Sequence, residues 1–156
     1  MGIFIDTEIW SFAQKKPVKS KFNDGYEKAL KMHSKSQDFL LQNIDKEILM
    51  SYHQIAKIYH VLGYRGFRLP MEFTLKYVRS LLQAENIIKY EVTREHIEDA
   101  IDASKRSGIH IWDFLCVLPV SQDLDIIYTC DQHFLHDEFK KLNAEIINPI
   151  DEWMRI

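Results

Sequence analysis

The chain has 156 residues, 46% hydrophobic and 28% charged, the size and balance of one globular domain over 1–156 with an ordinary soluble composition. Its net charge of −3 excludes whole-molecule attraction to nucleic acid, so any such binding needs a local basic patch. No apolar run reaches the roughly 18 residues of a membrane span, no signal-peptide pattern opens the chain, and Cys116 and Cys130 show no metal-type spacing. These features predict a cytoplasmic protein with two reduced cysteines.

In chain order, Gly2-Ile3-Phe4-Ile5 reads as a buried strand that ends on Asp6-Thr7, and Glu8 to Gln14 continues as a helical turn. Lys15, Lys16, Lys19 and Lys21 surround Pro17 in a basic loop, either solvated or in contact with phosphates. Asn23-Asp24-Gly25 opens a long helix whose Tyr26, Ala29, Leu30, Met32, Phe39 and Leu40 recur at helical spacing, a predicted core stripe. Glu47 to Met50 is a second strand. Ser51 then caps a helix with an apolar face of Tyr52, Ile55, Tyr59 and Leu62 that stops at Gly63. Its other side carries His53, Lys57 and His60, where a lysine between two histidines argues against a metal pair.

The loop 63–70 interleaves Arg65 and Arg68 with Tyr64 and Phe67, suited either to phosphates and unstacked bases or to a turn that tucks its aromatics inward. Pro70 starts a helix with Leu75, Val78, Leu81 and Leu82 predicted to face inward, and Asn86 to Val92 follows as a strand. Thr93 caps the next helix, with Ile97, Ala100, Ile101 and Ser104 on one face, Lys105 and Arg106 in its last turn and Gly108 at its end. A helix carrying Asp113 on its first turn comes next. Pro119 costs about 3 kcal/mol inside a helix, so this one is short, bent or restarts there. Asp125 to Tyr128 is a strand with a sharp exit at Thr129-Cys130-Asp131, and Glu145-Ile146-Ile147 is a last edge strand.

Strands that alternate with helices predict an α/β three-layer sandwich, a mostly parallel sheet of about five short strands with helices on both faces. Sites in such sheets form beyond the carboxyl ends of the strands, where Asp6 and Asp131 would sit and where a helix start would lift Asp113. Three carboxylates gathered there repel one another unless a cation is present. No glycine-rich phosphate loop follows any strand, which argues against a nucleotide cofactor.

Phe4-Ile5-Asp6-Thr7, Ile111-Trp112-Asp113, Tyr128-Thr129-Cys130-Asp131 with Phe134, and the closing Ile147-Asn148-Pro149 together resemble the PIN domain, the nuclease fold of VapC-type toxins and archaeal relatives. The resemblance implies an endoribonuclease that uses Mg²⁺ or Mn²⁺. Asp6, Asp113 and Asp131 match its catalytic and metal-holding acids, and Thr129 matches the hydroxyl residue that supports the last of them. It also implies RNA as partner, with the four lysines and Arg65 and Arg68 as candidate contacts, and it allows an antitoxin or a second copy of the chain.

Two positions depart from the family. Its remaining acid, a glutamate in the helix after the second strand, is Lys57 here, and Glu8 stands where an asparagine is common after Asp-Thr. Hard ions need only one or two carboxylates with water and phosphate, so three aspartates still suffice for one metal. An ammonium in place of an acid changes the site by two charge units. Lys57 then weakens the metal or pairs with an aspartate, while Glu8 either restores an acid or, as the first-turn position suggests, faces solvent. The alternative to an active nuclease is a non-catalytic PIN fold for RNA binding or protein assembly. A third reading is a flavodoxin-like small-molecule domain with coincidental rim acids.

Overall fold

The computed structural model describes residues 1–155. Five strands, β1 (Ile3–Ile5), β2 (Ile48–Ser51), β3 (Ile87–Tyr90), β4 (Ile126–Tyr128) and β5 (Glu145–Ile147), form one all-parallel sheet in the order β3-β2-β1-β4-β5. The α/β sandwich expected from the sequence is present. The strands are three or four residues long, and β1 and β2 are buried throughout because helices cover both faces.

The two faces are separate cores. Ile3, Ile5, Ile48 and Met50 point to one side, where α1 (Thr7–Gln14), α2 (Tyr26–Asn43), α3 (Tyr52–Tyr64) and α4 (Met71–Gln83) pack with Ile9, Trp10, Ile58, Leu62 and Leu81. Phe4, Leu49 and Ile127 point to the other. There α5 (Arg94–Ser107), α6 (Ile111–Val117) and the short α7 (Asp137–Lys140) add Ala100, Ala103, Phe114 and Phe139. Strand periodicity of two thus feeds alternate residues into opposite layers.

Several helix faces differ from the sequence reading. In α2 only Met32 of the expected stripe is fully buried, Tyr26, Ala29, Leu30, Phe39 and Leu40 being half-buried. Polar His33, Ser36 and Asn43 are buried in that helix, and His33 Nδ1 lies 2.7 Å from Phe12 O. In α4, Thr74, Val78 and Leu81 face inward while Leu75 and Leu82 are exposed. Helix α5 buries Ala100 and Ala103 and leaves Ile97 and Ile101 outside, because small residues let its backbone approach α6 and the turn Leu118–Asp123. Gly63 does not end α3, which runs one residue further and brings Gly63 against Met71 and Thr74 of α4.

Local signals read correctly elsewhere. Thr93 forms a capping box with His96, and Gly108 closes α5 with φ of +74°. Pro119 leaves α6 seven residues long and starts a 3-10 turn over Leu118–Asp123. Both cysteines are buried free thiols. No helix among the described residues is long and apolar enough to cross a membrane.

From β1 the strand order runs outward in opposite directions, to β2 and β3 on one side and to β4 and β5 on the other. The crevice between the carboxyl ends of β1 and β4 is therefore the switch point where doubly wound sheets bind ligands. The chains leaving both strands are tied together there, since Asp6 N donates to Tyr128 O at 2.8 Å.

Candidate functional site

A cleft of about 680 Å³ opens over this switch point, lined by Asp6, Glu8, His53, Ala56, Lys57, His60, Arg65, His110, Trp112, Asp113 and Asp131. The three aspartates come from three remote segments, and each is only 2% exposed. Asp6 is the N-cap of α1. Its Oδ1 accepts from Thr7 N and its Oδ2 from the Thr129 hydroxyl, both at 2.8 Å. Thr129 Oγ1 in turn accepts from Asp131 N at 3.0 Å. The hydroxyl therefore supports Asp131 through its backbone and gives its proton to Asp6, not to the Asp131 carboxylate. Asp131 Oδ1 accepts from His133 N at 2.9 Å as the cap of the turn Gln132–Leu135.

Asp113 lies on the first turn of α6, beside the fully buried Phe114. Phe114 stacks on Phe139 with centroids 4.5 Å apart, and Phe139 on Phe134 at 4.3 Å. That ladder fixes the rotation of α6 and the turn after β4, so Asp113, next to Phe114, lines the cleft, and His133, next to Phe134, brings its Nδ1 to 3.9 Å from Asp113 Oδ2. At the end of β1, Ile5 O accepts from Gln54 Nε2 at 2.7 Å and from Trp10 Nε1 at 3.0 Å. Gln54 belongs to α3, whose cap Ser51 Oγ accepts from its N–H at 3.1 Å, and Lys57 follows on the same helix.

Lys57 Nζ donates to Asp113 Oδ1 at 3.2 Å. Of the two roles open to Lys57, pairing with an aspartate is the one observed. It also revises the expectation that only a cation relieves the crowded carboxylates, since an internal ammonium does part of that. Burial, joined by the Asp113 charge, holds Asp6 well above the usual carboxylate range, against the pull of Lys57 and the Thr129 hydroxyl. Burial likewise raises Asp131, opposed by the His133 N–H. For Lys57, burial opposes the charge, but the Cys116 sulfur and the Asp113 and Asp6 carboxylates more than offset it and raise its pKa. Burial pushes the Cys116 thiol up to about 12, so it is neutral near pH 7 and the carboxylates carry that effect.

Glu8 does not face solvent as its first-turn position suggested. It lines the cleft half-buried, and burial raises its pKa against the attraction of Lys57 and Arg65. The basic candidates divide. Lys15 is a structural residue, its Nζ donating to Val61 O at 2.7 Å and Arg65 O at 2.8 Å, and is not free for phosphate. Lys16, Lys19, Lys21 and Arg68 are exposed but do not line the cleft, and Lys21 sits 5.5 Å from the Phe67 ring centroid. Arg65 alone of the six reaches its wall. The loop aromatics do not tuck inward, because Tyr64 and Phe67 are exposed.

Three residues were not singled out from the sequence. Trp112, 54% exposed, stacks on His53 at 5.9 Å and 11° on the cleft wall, a surface fit for a nucleobase. His110 Nε2 lies 3.4 Å and His133 Nδ1 3.9 Å from Asp113 Oδ2. Their one signal in the sequence is nearness to the acids, His110 three residues before Asp113 and His133 two after Asp131.

Asp113 Oδ2 is buried without a hydrogen-bond partner among the described residues. An orphaned carboxylate oxygen at the floor of an acidic cleft fits a cation, and carboxylates with imidazoles nearby suit Mn²⁺ at least as well as Mg²⁺. The chain matches no protein-family model and no curated protein.

Proposed function

We propose that the chain is a metal-dependent endoribonuclease of the PIN-domain type that works in this cleft. The observation that carries the reading is the convergence of Asp6, Asp113 and Asp131, each buried, at the carboxyl edge between β1 and β4. Asp113 would hold the ion with Asp131 beside it, and Asp6, fixed on both oxygens, would accept a hydrogen bond from water in the cleft. A divalent ion bound there supplies an activated water and offsets charge on the phosphoryl oxygens. Arg65 offers a guanidinium to the RNA backbone and the Trp112 face a stacking surface, which together favour single-stranded RNA over a small molecule.

The test is cleavage of labelled single-stranded RNA with Mn²⁺ by the wild-type chain, Asp113→Asn and Trp112→Ala. Cutting by the wild type, loss in Asp113→Asn and a raised KM in Trp112→Ala are expected. RNA left intact by the wild type under every divalent ion sinks the proposal.

The Lys57–Asp113 bond favours one second reading, a fold that binds RNA without cutting it because an ammonium already balances the acids. That reading expects RNA to bind without divalent ions and Asp113→Asn to bind it as well as the wild type.

A further inference from the structure

We propose that the ion in this cleft is a borderline transition metal, of the Zn²⁺, Co²⁺ or Mn²⁺ kind, held by His110 Nε2, Asp113 Oδ2 and His133 Nδ1, and that Lys57 is the residue that turns Asp113 toward it. The inference deepens the nuclease reading by naming the ligands. Its readout is binding, so either can fail without the other.

Among the described residues these three form the one group of histidine, cysteine or acidic side chains whose ligand atoms all lie within 4.8 Å of one another. Two of the three atoms, Asp113 Oδ2 and His133 Nδ1, are buried and have no hydrogen-bond partner. A buried carboxylate oxygen left in that state costs about 1–3 kcal/mol or more, a cost that coordination removes. His110 is the exposed member, at the mouth of the cleft, and gives an ion its way in.

The spacing separates shared ligands from hydrogen-bonded partners. A charge-assisted N–H···O bond is about 2.7–2.9 Å long. Two ligand atoms about 2.0–2.1 Å from one tetrahedral centre stand roughly 3.3–3.4 Å apart. His110 Nε2 is 3.4 Å from Asp113 Oδ2, the ligand spacing and not the hydrogen-bond one. His133 Nδ1, at 3.9 Å, needs to move in by roughly half an ångström to match it. Asp131 Oδ1, 3.2 Å from that nitrogen, borders a further position.

The supports have the form that metal sites need. His110 and Asp113 are three residues apart across the start of α6, and His133 is fixed by Phe134, whose ring stacks between Phe4 and Phe139. Lys57 holds the other Asp113 oxygen, as outer partners hold ligating carboxylates, so the lysine that displaces an acid still serves the site. Two imidazole nitrogens and one carboxylate select a borderline ion, since Mg²⁺ prefers oxygen and keeps its water.

The experiment strips the 156-residue chain with chelator and titrates Co²⁺, reading its visible absorption, with Zn²⁺ and Mg²⁺ compared by calorimetry. One Co²⁺ per chain is expected, Zn²⁺ should bind more tightly than Mg²⁺, and His110→Ala and His133→Ala should each weaken Co²⁺ by about 100-fold or more. Asp6→Asn should shift it by no more than about threefold, Asp6 being outside the ligand set. Circular dichroism checks the fold of each variant, and His110→Ala removes an exposed side chain, so a lost core cannot mimic its effect. No Co²⁺ binding, or binding unchanged in both histidine variants, overturns the site. So does Mg²⁺ that binds more tightly than Zn²⁺ through Asp6 and Asp131. If the histidine-dependent metal binds but RNA stays intact, this site stands and the nuclease reading falls.

Discussion

Replacing Lys57 by methionine removes one ammonium and keeps a stem of similar length. Its Nζ lies 3.2 Å from Asp113 Oδ1, and the two side chains are 16% and 3% exposed, so water screens the pair weakly. At an effective dielectric of about 20 the attraction over that distance is roughly 5 kcal/mol before desolvation of the lysine is subtracted. Breaking a buried pair from one side typically costs about 3–5 kcal/mol, and a partner that borders an open cleft belongs at the lower end. A loss of about 3 kcal/mol in a domain of this size lowers Tm by roughly 6–12 °C. Urea unfolding of the wild type, Lys57→Met, Asp113→Asn and the double variant closes a cycle with an expected coupling of about 2–3 kcal/mol. A Lys57→Met chain as stable as the wild type, with coupling below about 0.5 kcal/mol, would refute the claim that this ammonium holds Asp113 in place.

Three further outcomes follow from named contacts. The folded chain keeps a proton on Asp131 to higher pH than the unfolded chain does, so its charge costs stability as pH rises from the ordinary carboxylate range through the raised folded value. Asp131→Asn should therefore gain on the wild type between pH 4 and pH 7 in denaturant titrations, and a gap that stays constant or narrows contradicts this. Lys15→Met strips donors from Val61 O and Arg65 O, so trypsin should cut faster after Arg65 and Arg68, and an unchanged rate would show that the loop holds without it. A Cβ on Gly2 would clash with Asp123 O, so Gly2→Ala should cost about 1–3 kcal/mol by chemical denaturation, and a neutral result would mean that the backbone there can yield.

The sheet was legible because its strands are short apolar runs with turn residues after them, and a parallel strand buried on both faces carries that pattern whatever its neighbours are. Capping chemistry at Ser51, Thr93 and Gly108 is local and was equally readable. Helix faces were harder. Apolar spacing identifies a stripe but not the neighbour it meets, and in α5 closeness to α6 and the turn Leu118–Asp123 selected Ala100 and Ala103 over the larger Ile97 and Ile101. The aspartates stood out because each follows a strand or opens a helix. His110 and His133 did not, because their meeting on one oxygen joins segments 23 residues apart and leaves no linear spacing to read. Lys15 misled for a related reason: its role is set by two carbonyls 46 and 50 residues away.

A crystal soaked in Mn²⁺, with the ion located by its anomalous signal, asks most directly whether this cleft is a cation site. A peak about 2.0–2.2 Å from Asp113 Oδ2, with Lys57 Nζ still on Oδ1, is the predicted result. No peak in the cleft at saturating Mn²⁺, or one away from Asp113, would leave Lys57 as the only cation on Asp113 and contradict it.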